Sequence, residues 1–185
     1  MIRFLKRYYP VVVILLLLTG CEDQAVKPPV GKDFKTEQIP DQESIKSKII
    51  FSDSGMVKAI LTTGRVRMYH GREETLLDSG LVVDFYNESG IKTTTLTSRY
   101  GRVNDKTKDL YAMGDVVVKS DSGTVLKTDR LMYRAHDQKI LTELPVEITS
   151  PTETIRGVGF ESDKQLKNYV IYRITYVTTQ APVDE

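Results

Sequence analysis

From Ile45 to about Val177 the chain consists of short runs of alternating apolar and polar residues. Polar turn clusters break these runs about every ten residues, the spacing of an antiparallel all-β domain. Successive strand side chains point to opposite faces, so alternation gathers the apolar residues on one side of a sheet. In Leu77-Asp78-Ser79-Gly80-Leu81-Val82-Val83-Asp84-Phe85, the residues Leu77, Leu81, Val83 and Phe85 share one face, and Asp78 and Asp84 share the other. Val57, Ala59 and Leu61 oppose Lys58. Val116 and Val118 oppose Asp115 and Lys119, while Val146 and Ile148 oppose Glu147. No segment carries an apolar 3.6-residue period long enough for a helix. One face of the predicted sheet is apolar throughout.

The turns repeat. Phe51-Ser52-Asp53-Ser54-Gly55 returns as Tyr86-Asn87-Glu88-Ser89-Gly90 and as Lys119-Ser120-Asp121-Ser122-Gly123. Each ends in a glycine suited to the positive φ that closes such turns. A second repeat matches Leu110–Val118 with Ile140–Ile148, each copy preceded by a polar turn, 104–108 or 135–139. A period of about thirty residues carried by hairpins predicts stacked sheet layers, because one unit cannot bury its apolar side alone. Pro145 takes the place of Asp115 in the second copy. It is expected at a strand start or on an edge, since it cannot donate to a ladder.

The N-terminus has a different composition. Arg3, Lys6 and Arg7 precede an apolar run from Val11 to Leu18 and then Leu18-Thr19-Gly20-Cys21. Basic start, apolar stretch and small-residue cleavage site form an export signal. The apolar run falls well short of the roughly 20 residues of a membrane span. A cut before Cys21 resembles a bacterial lipoprotein signal, in which the new N-terminal cysteine carries the lipid. The expected division is a signal peptide over 1–20, a lipidated tether over 21–44, the β-domain over 45–178 and a disordered tail over 179–185. The tether is polar and Pro-bearing, as in Lys27-Pro28-Pro29, and cannot bury enough surface to fold.

The chain has 26 basic and 25 acidic residues. The leader holds three of the basic residues and no acidic one, so the remainder is slightly acidic. Nothing in this balance offers the concentrated positive patch that nucleic acid requires. Cys21 is the single cysteine, so the fold relies on its core and hydrogen bonds without a disulfide. Catalytic patterns are missing as well. His70 and His136 lie in polar, turn-like surroundings and read as solvated surface groups. No serine sits in a nucleophile elbow, no Cys/His spacing suits a metal, and Asp53 and Asp121 read as turn formers. Gly157-Val158-Gly159-Phe160 reads as a strand kink or bulge. Neither enzyme activity nor a cofactor is expected.

The segments Ile50–Gly55, Val82–Tyr86, Leu110–Val118, Leu126–Leu131 and Ile155–Ser162 resemble the LptC family of lipopolysaccharide export proteins and the related OstA-type β-domains. The resemblance implies a twisted, half-open antiparallel sheet, a β-jellyroll or trough of stacked hairpins. It implies a periplasmic protein that receives lipopolysaccharide from the inner-membrane ABC transporter (LptB, LptF and LptG) and hands it to the bridge protein LptA. Many members keep an uncleaved N-terminal membrane helix, and here a lipid on Cys21 would replace that anchor. Glu22 and Asp23 suit retention at the periplasmic side of the inner membrane, with the outer membrane as the alternative.

Such a carrier would offer fatty tails its apolar face: Val57, Ala59, Leu61, Leu77, Val83, Phe85, Val116, Val118, Val146, Ile148 and Phe160. Free edge strands would join it to an LptA-like neighbour by strand addition. Two other readings fit the same residues, a lipid-tethered LptA-like bridge and a structural envelope lipoprotein without lipid cargo.

Overall fold

The computed structural model describes residues 39–179. They form ten strands: β1 (Gln42–Asp53), β2 (Met56–Tyr69), β3 (Glu74–Tyr86), β4 (Lys92–Ser98), β5 (Tyr100–Asn104), β6 (Leu110–Ser120), β7 (Val125–Arg134), β8 (Lys139–Thr149), β9 (Glu153–Asp163) and β10 (Tyr169–Thr179). All belong to one antiparallel sheet ordered β1-β2-β3-β4-β6-β7-β8-β9-β10, with β5 between β3 and β6. β4 and β5 thus share one track, interrupted at Arg99. The turn glycines Gly55, Gly90 and Gly123 have φ of +78°, +73° and +83°, as the repeats require. The expected signal peptide, Cys21, most of the expected tether and residues 180–185 lie outside the described residues.

The strands bend near their middles, and the bends line up from strand to strand. Lys46 on β1 (φ 52°) faces Gly64 on β2, and Gly64 faces Ser79 and Gly80 on β3 (φ 64° and 86°). The seam continues through Arg99 and the pair Gly114-Asp115 on β6 (φ 77° and 49°). Register then slips between Thr128 and Met132 on β7 and between Thr142 and Pro145 on β8. On β9 the bend falls at Gly159 (φ 81°). Each bulge adds local twist and bends its strand. In line, they let the sheet fold over on itself.

Hydroxyls satisfy the backbone groups that the bends release. Thr63 Oγ1 donates to the Asp78 carbonyl at 2.8 Å, Ser98 Oγ to Tyr100 at 2.8 Å and Thr128 Oγ1 to Pro145 at 2.9 Å. Thr142 Oγ1 accepts from the Leu144 amide at 3.2 Å. The Arg99 amide donates to Gly114 at 2.9 Å, and its Nε to Asp115 at 2.7 Å. Gly64 is needed for a different reason: a Cβ there would sit 2.6 Å from Ser79 Cβ.

The fold-over gives the apolar face a partner, itself. Leu77, Ala112, Leu126 and Phe160 have no exposed surface. Each buried Leu or Phe contributes about 1.5–3 kcal/mol relative to exposure. The outer face is polar and laced with ion pairs, among them Arg67–Asp78, Arg134–Asp137, Lys139–Glu161 and Arg156–Glu147.

Two expectations need correction. β1 starts at Gln42, so residues 42–44 belong to the sheet and not to the tether. Its side chains there are exposed and polar, and Glu43 is held by Arg65 at 2.7 Å, so no apolar alternation marks the strand. Pro145 sits inside β8, a central strand, instead of at an edge or a strand start. The bulge takes its nitrogen out of the ladder, which makes proline tolerable there.

Gly114→Val tests the bend. A β-branched side chain at φ +77° would also press on Arg99 Cβ, 3.3 Å from the added carbon. The expected loss is about 2 kcal/mol, read by urea unfolding. An unchanged midpoint would show that the seam accepts ordinary side chains.

Candidate functional site

Folding along a seam that crosses every strand leaves two layers facing each other, with strand ends meeting along a rim. The layers are not hydrogen-bonded to each other there, and β1 and β10 remain separate edges. At this rim, nearest β1, lies a cavity of about 380 Å³. Ala59, Leu61, Val83 and Phe85 line it from one layer, and Val103, Leu110 and Tyr133 from the other. The Phe85 and Tyr133 rings meet across it, with centroids 5.3 Å apart. Burial pushes the Tyr133 hydroxyl above its usual pKa, with Asp137 adding to the effect, so it stays neutral. The volume falls at the lower end of the range for small-molecule sites, about 300–1,000 Å³.

A larger hollow of about 590 Å³ lies over the bend, between β6 and β9. Charged residues wall it, including Asp115, Asp129, Lys127, Glu147 and Arg156. Its groups already pair with one another: Arg156 Nε bonds Glu147 at 2.7 Å, and Lys127 Nζ lies 3.7 Å from the same carboxylate. The interlayer cavity is therefore the better site for an apolar ligand.

The eleven apolar residues singled out in the sequence divide into three groups, with Val57 outside them. Ala59, Leu61, Val83 and Phe85 line the interlayer cavity. Leu77, Val118, Ile148 and Phe160 lie in the packed interior. Val116 and Val146 are buried in the core and also border the outer hollow. Val57 is half-buried and does not border the cavity. Its neighbour Lys58, expected on the opposite face, does line it. The cause is a bulge: Phe51 pairs with Ala59 and Ser52 with Val57, which leaves Lys58 out of register. Alternation alone could not show Lys58, Tyr133 and Lys108 converging here, because they come from different layers. Leu110 was legible, two residues before Ala112 in the same inward phase.

The turn between β9 and β10 packs onto the core through Leu166, which is 2% exposed although it is a turn residue with φ 58°. The Asp163 carboxylate holds this turn. It accepts from the amides of Gln165 at 2.9 Å, Lys167 at 3.1 Å and Asn168 at 3.1 Å, and from Asn168 Nδ2 at 2.9 Å. Burial acts to raise its pKa, but these donors outweigh it and hold the carboxyl below its usual value of 3.8. His70 and His136 are exposed, the former beside Asp41, Nδ1 to Oδ2 3.3 Å. Among the described residues no group of three or more His, Cys, Asp or Glu gathers into a metal site, and no helix is long and apolar enough to cross a membrane.

A single antiparallel sheet folded over an apolar interior defines an all-β jellyroll. The chain belongs to the LptC family: residues 11–179 match the family described as lipopolysaccharide-assembly, LptC-related. No curated protein sequence matches it. Among solved structures it is similar to LptH, the LptA homologous periplasmic component of the conserved lipopolysaccharide transport device from Pseudomonas aeruginosa. That likeness has a TM-score of 0.52 at 11% identity and covers 68% of this chain and 95% of that one. The protein is thus a non-enzymatic member of a lipopolysaccharide-assembly family.

Asp163 gives this site a pH dependence. Its folded pKa lies below the unfolded one, so its contribution is present above about pH 4 and lost as pH falls through the folded value. Protection of the Gln165, Lys167 and Asn168 amides, measured against their intrinsic exchange rates, should therefore fall on acidification below pH 4, and Asp163→Ala should show low protection at neutral pH. Equal protection in the variant would mean that Leu166 packing alone holds the turn.

Proposed function

We propose that this protein receives lipopolysaccharide from the inner-membrane ABC transporter (LptB, LptF and LptG) and passes it to an LptA-like bridge, with acyl tails held between its two layers. The observation that carries the reading is the interlayer cavity walled by Ala59, Leu61, Val83, Phe85 and Tyr133 at a rim without interlayer backbone pairing. A tail of a dozen carbons gains on the order of 10 kcal/mol on leaving water, at about 0.8 kcal/mol per CH₂. The cavity suits one such chain; several require the layers to part. Parting them separates side chains such as Phe85 and Tyr133 but breaks no strand ladder.

The free edges support hand-over by strand addition. β1 and β10 each leave one side unpaired, and Val170, Tyr172, Ile174 and Tyr176 on β10 are exposed. Cys21 would carry the lipid that holds the domain at the periplasmic side of the inner membrane, through a tether that ends before Gln42.

A photo-cross-linker at Phe85 should capture lipopolysaccharide in export-active envelopes, while one at exposed Lys119 should not. Ala59→Trp, which fills the cavity, should lower that capture about tenfold, the equivalent of about 1.4 kcal/mol. No capture at Phe85, Leu61 or Val83 would overturn the carrier reading. Cys21→Ala should change the protein's size and release it from membranes; an unchanged, membrane-bound variant would disprove lipidation. Solubilised envelopes should yield the three-subunit transporter on pull-down.

A further inference from the structure

The rim of the interlayer cavity is not only apolar. Lys58 lines it from one layer and Lys108 from the other, and Gln138 stands beside them. Lys108 and Gln138 occupy equivalent left-handed positions, φ 64° and 57°, in the turns before β6 and β8. Those turns are tied together where the Ala135 amide donates to Asp109 Oδ1 at 2.8 Å. Gln138 Oε1 in turn accepts from Lys164 Nζ at 3.1 Å. Three ammonium groups from three separate elements thus gather at one opening.

Some cations on the outer face have carboxylate partners, as the pairs of Arg65, Arg99, Arg134, Lys139 and Arg156 illustrate. Lys58 and Lys108 have none among the described residues. The acidic groups nearby are Asp53, held by Ser54 Oγ at 3.2 Å, Asp109, whose two oxygens accept from the Ala135 amide and Thr107 Oγ1, and Glu88, which acts on Lys164.

We propose that Lys58 and Lys108, with Lys164 behind them, bind the phosphate of a membrane-derived amphiphile at the rim while one of its tails lies in the cavity. This rests on the carrier reading above and adds an orientation to it: tail inward, phosphate at the rim. A phosphate carries up to two charges and three acceptor oxygens, so it can serve several ammonium groups at once, which a single fatty carboxylate does less well. Lysine suits the role because its compact charge sits on a flexible stem that follows a moving headgroup. Lys164 is consistent with an uncompensated positive rim: burial lowers its pKa, Lys58 lowers it further and Glu88 opposes the change.

The test compares binding of bisphosphorylated lipid A with binding of the same lipid stripped of phosphate. Both are presented to the full-length protein in identical neutral micelles at fixed salt, with inorganic phosphate as a third probe. The phosphorylated lipid should bind about tenfold tighter, as expected for charge-assisted hydrogen bonds. The double variant K58Q/K108Q should lose that preference and bind the stripped lipid as the unmodified protein does. K127Q, which removes a charge over the bend, should keep it. A preference that survives in K58Q/K108Q, or that falls equally in K127Q, would overturn the assignment. Equal binding of both lipids by the unmodified protein would overturn it too, while leaving the carrier reading intact; binding of neither would overturn both. Inorganic phosphate binding as tightly as the phosphorylated lipid would assign the rim to a free anion instead.

Discussion

A single β-sheet with one apolar face has no stable existence in water unless that face is covered. Here no second sheet and no helix among the described residues covers it. The aligned bends solve the problem by making the sheet its own partner. The solution is demanding, because a bulge frees backbone donors and acceptors that stay expensive if buried unpaired. Thr63, Ser98, Thr128 and Thr142 answer that demand with one hydroxyl each. Valine would match each of the three threonines in shape and leave the backbone groups unpaired. The seam is therefore a row of small polar side chains and glycines set inside strands that otherwise select β-branched and apolar residues.

The same geometry decides what is rigid and what can move. Along the seam the two layers share continuous backbone, and Arg99 links neighbouring tracks through its amide and its guanidinium. At the rim they touch only through side chains, such as the ring pair of Phe85 and Tyr133. Stability and access are thereby assigned to opposite sides of one sheet. The edges differ from each other as well. β1 carries Glu43, Lys46 and Lys48, charges of the kind that blunt an exposed edge, whereas β10 shows Tyr172, Ile174, Tyr176 and Val177 with Arg173 as its single charge. A long apolar edge of that kind is a hazard unless another strand covers it.

Much of this was legible in the sequence because period-two alternation is a local code. The strands, their inward faces and the turn glycines at Gly55, Gly90 and Gly123 follow from it. The thirty-residue repeat also marked the seam without naming it: Gly114-Asp115 and Leu144-Pro145 hold matching places in the two copies, and both are bends. What stayed hidden depends on pairing across distance. The start of β1 was invisible because an edge strand with exposed side chains has no alternation to read. Lys58 was assigned to the wrong face because a bulge is set by the partner strand's register as well as by its own residues. The cavity itself arises where two layers meet, and no window of sequence spans both.

Cargo size relates these features to transport. A cavity of about 380 Å³ cannot enclose a lipid with several tails, so under the proposed carrier role loading would replace some contacts between layers with contacts to acyl chains. Both are apolar contacts of similar density, so the exchange is nearly level in free energy once the tails have left water. A level exchange lets cargo pass between similar grooves in either direction without a local energy source. Direction then has to come from the supply end, where new lipid is pushed in.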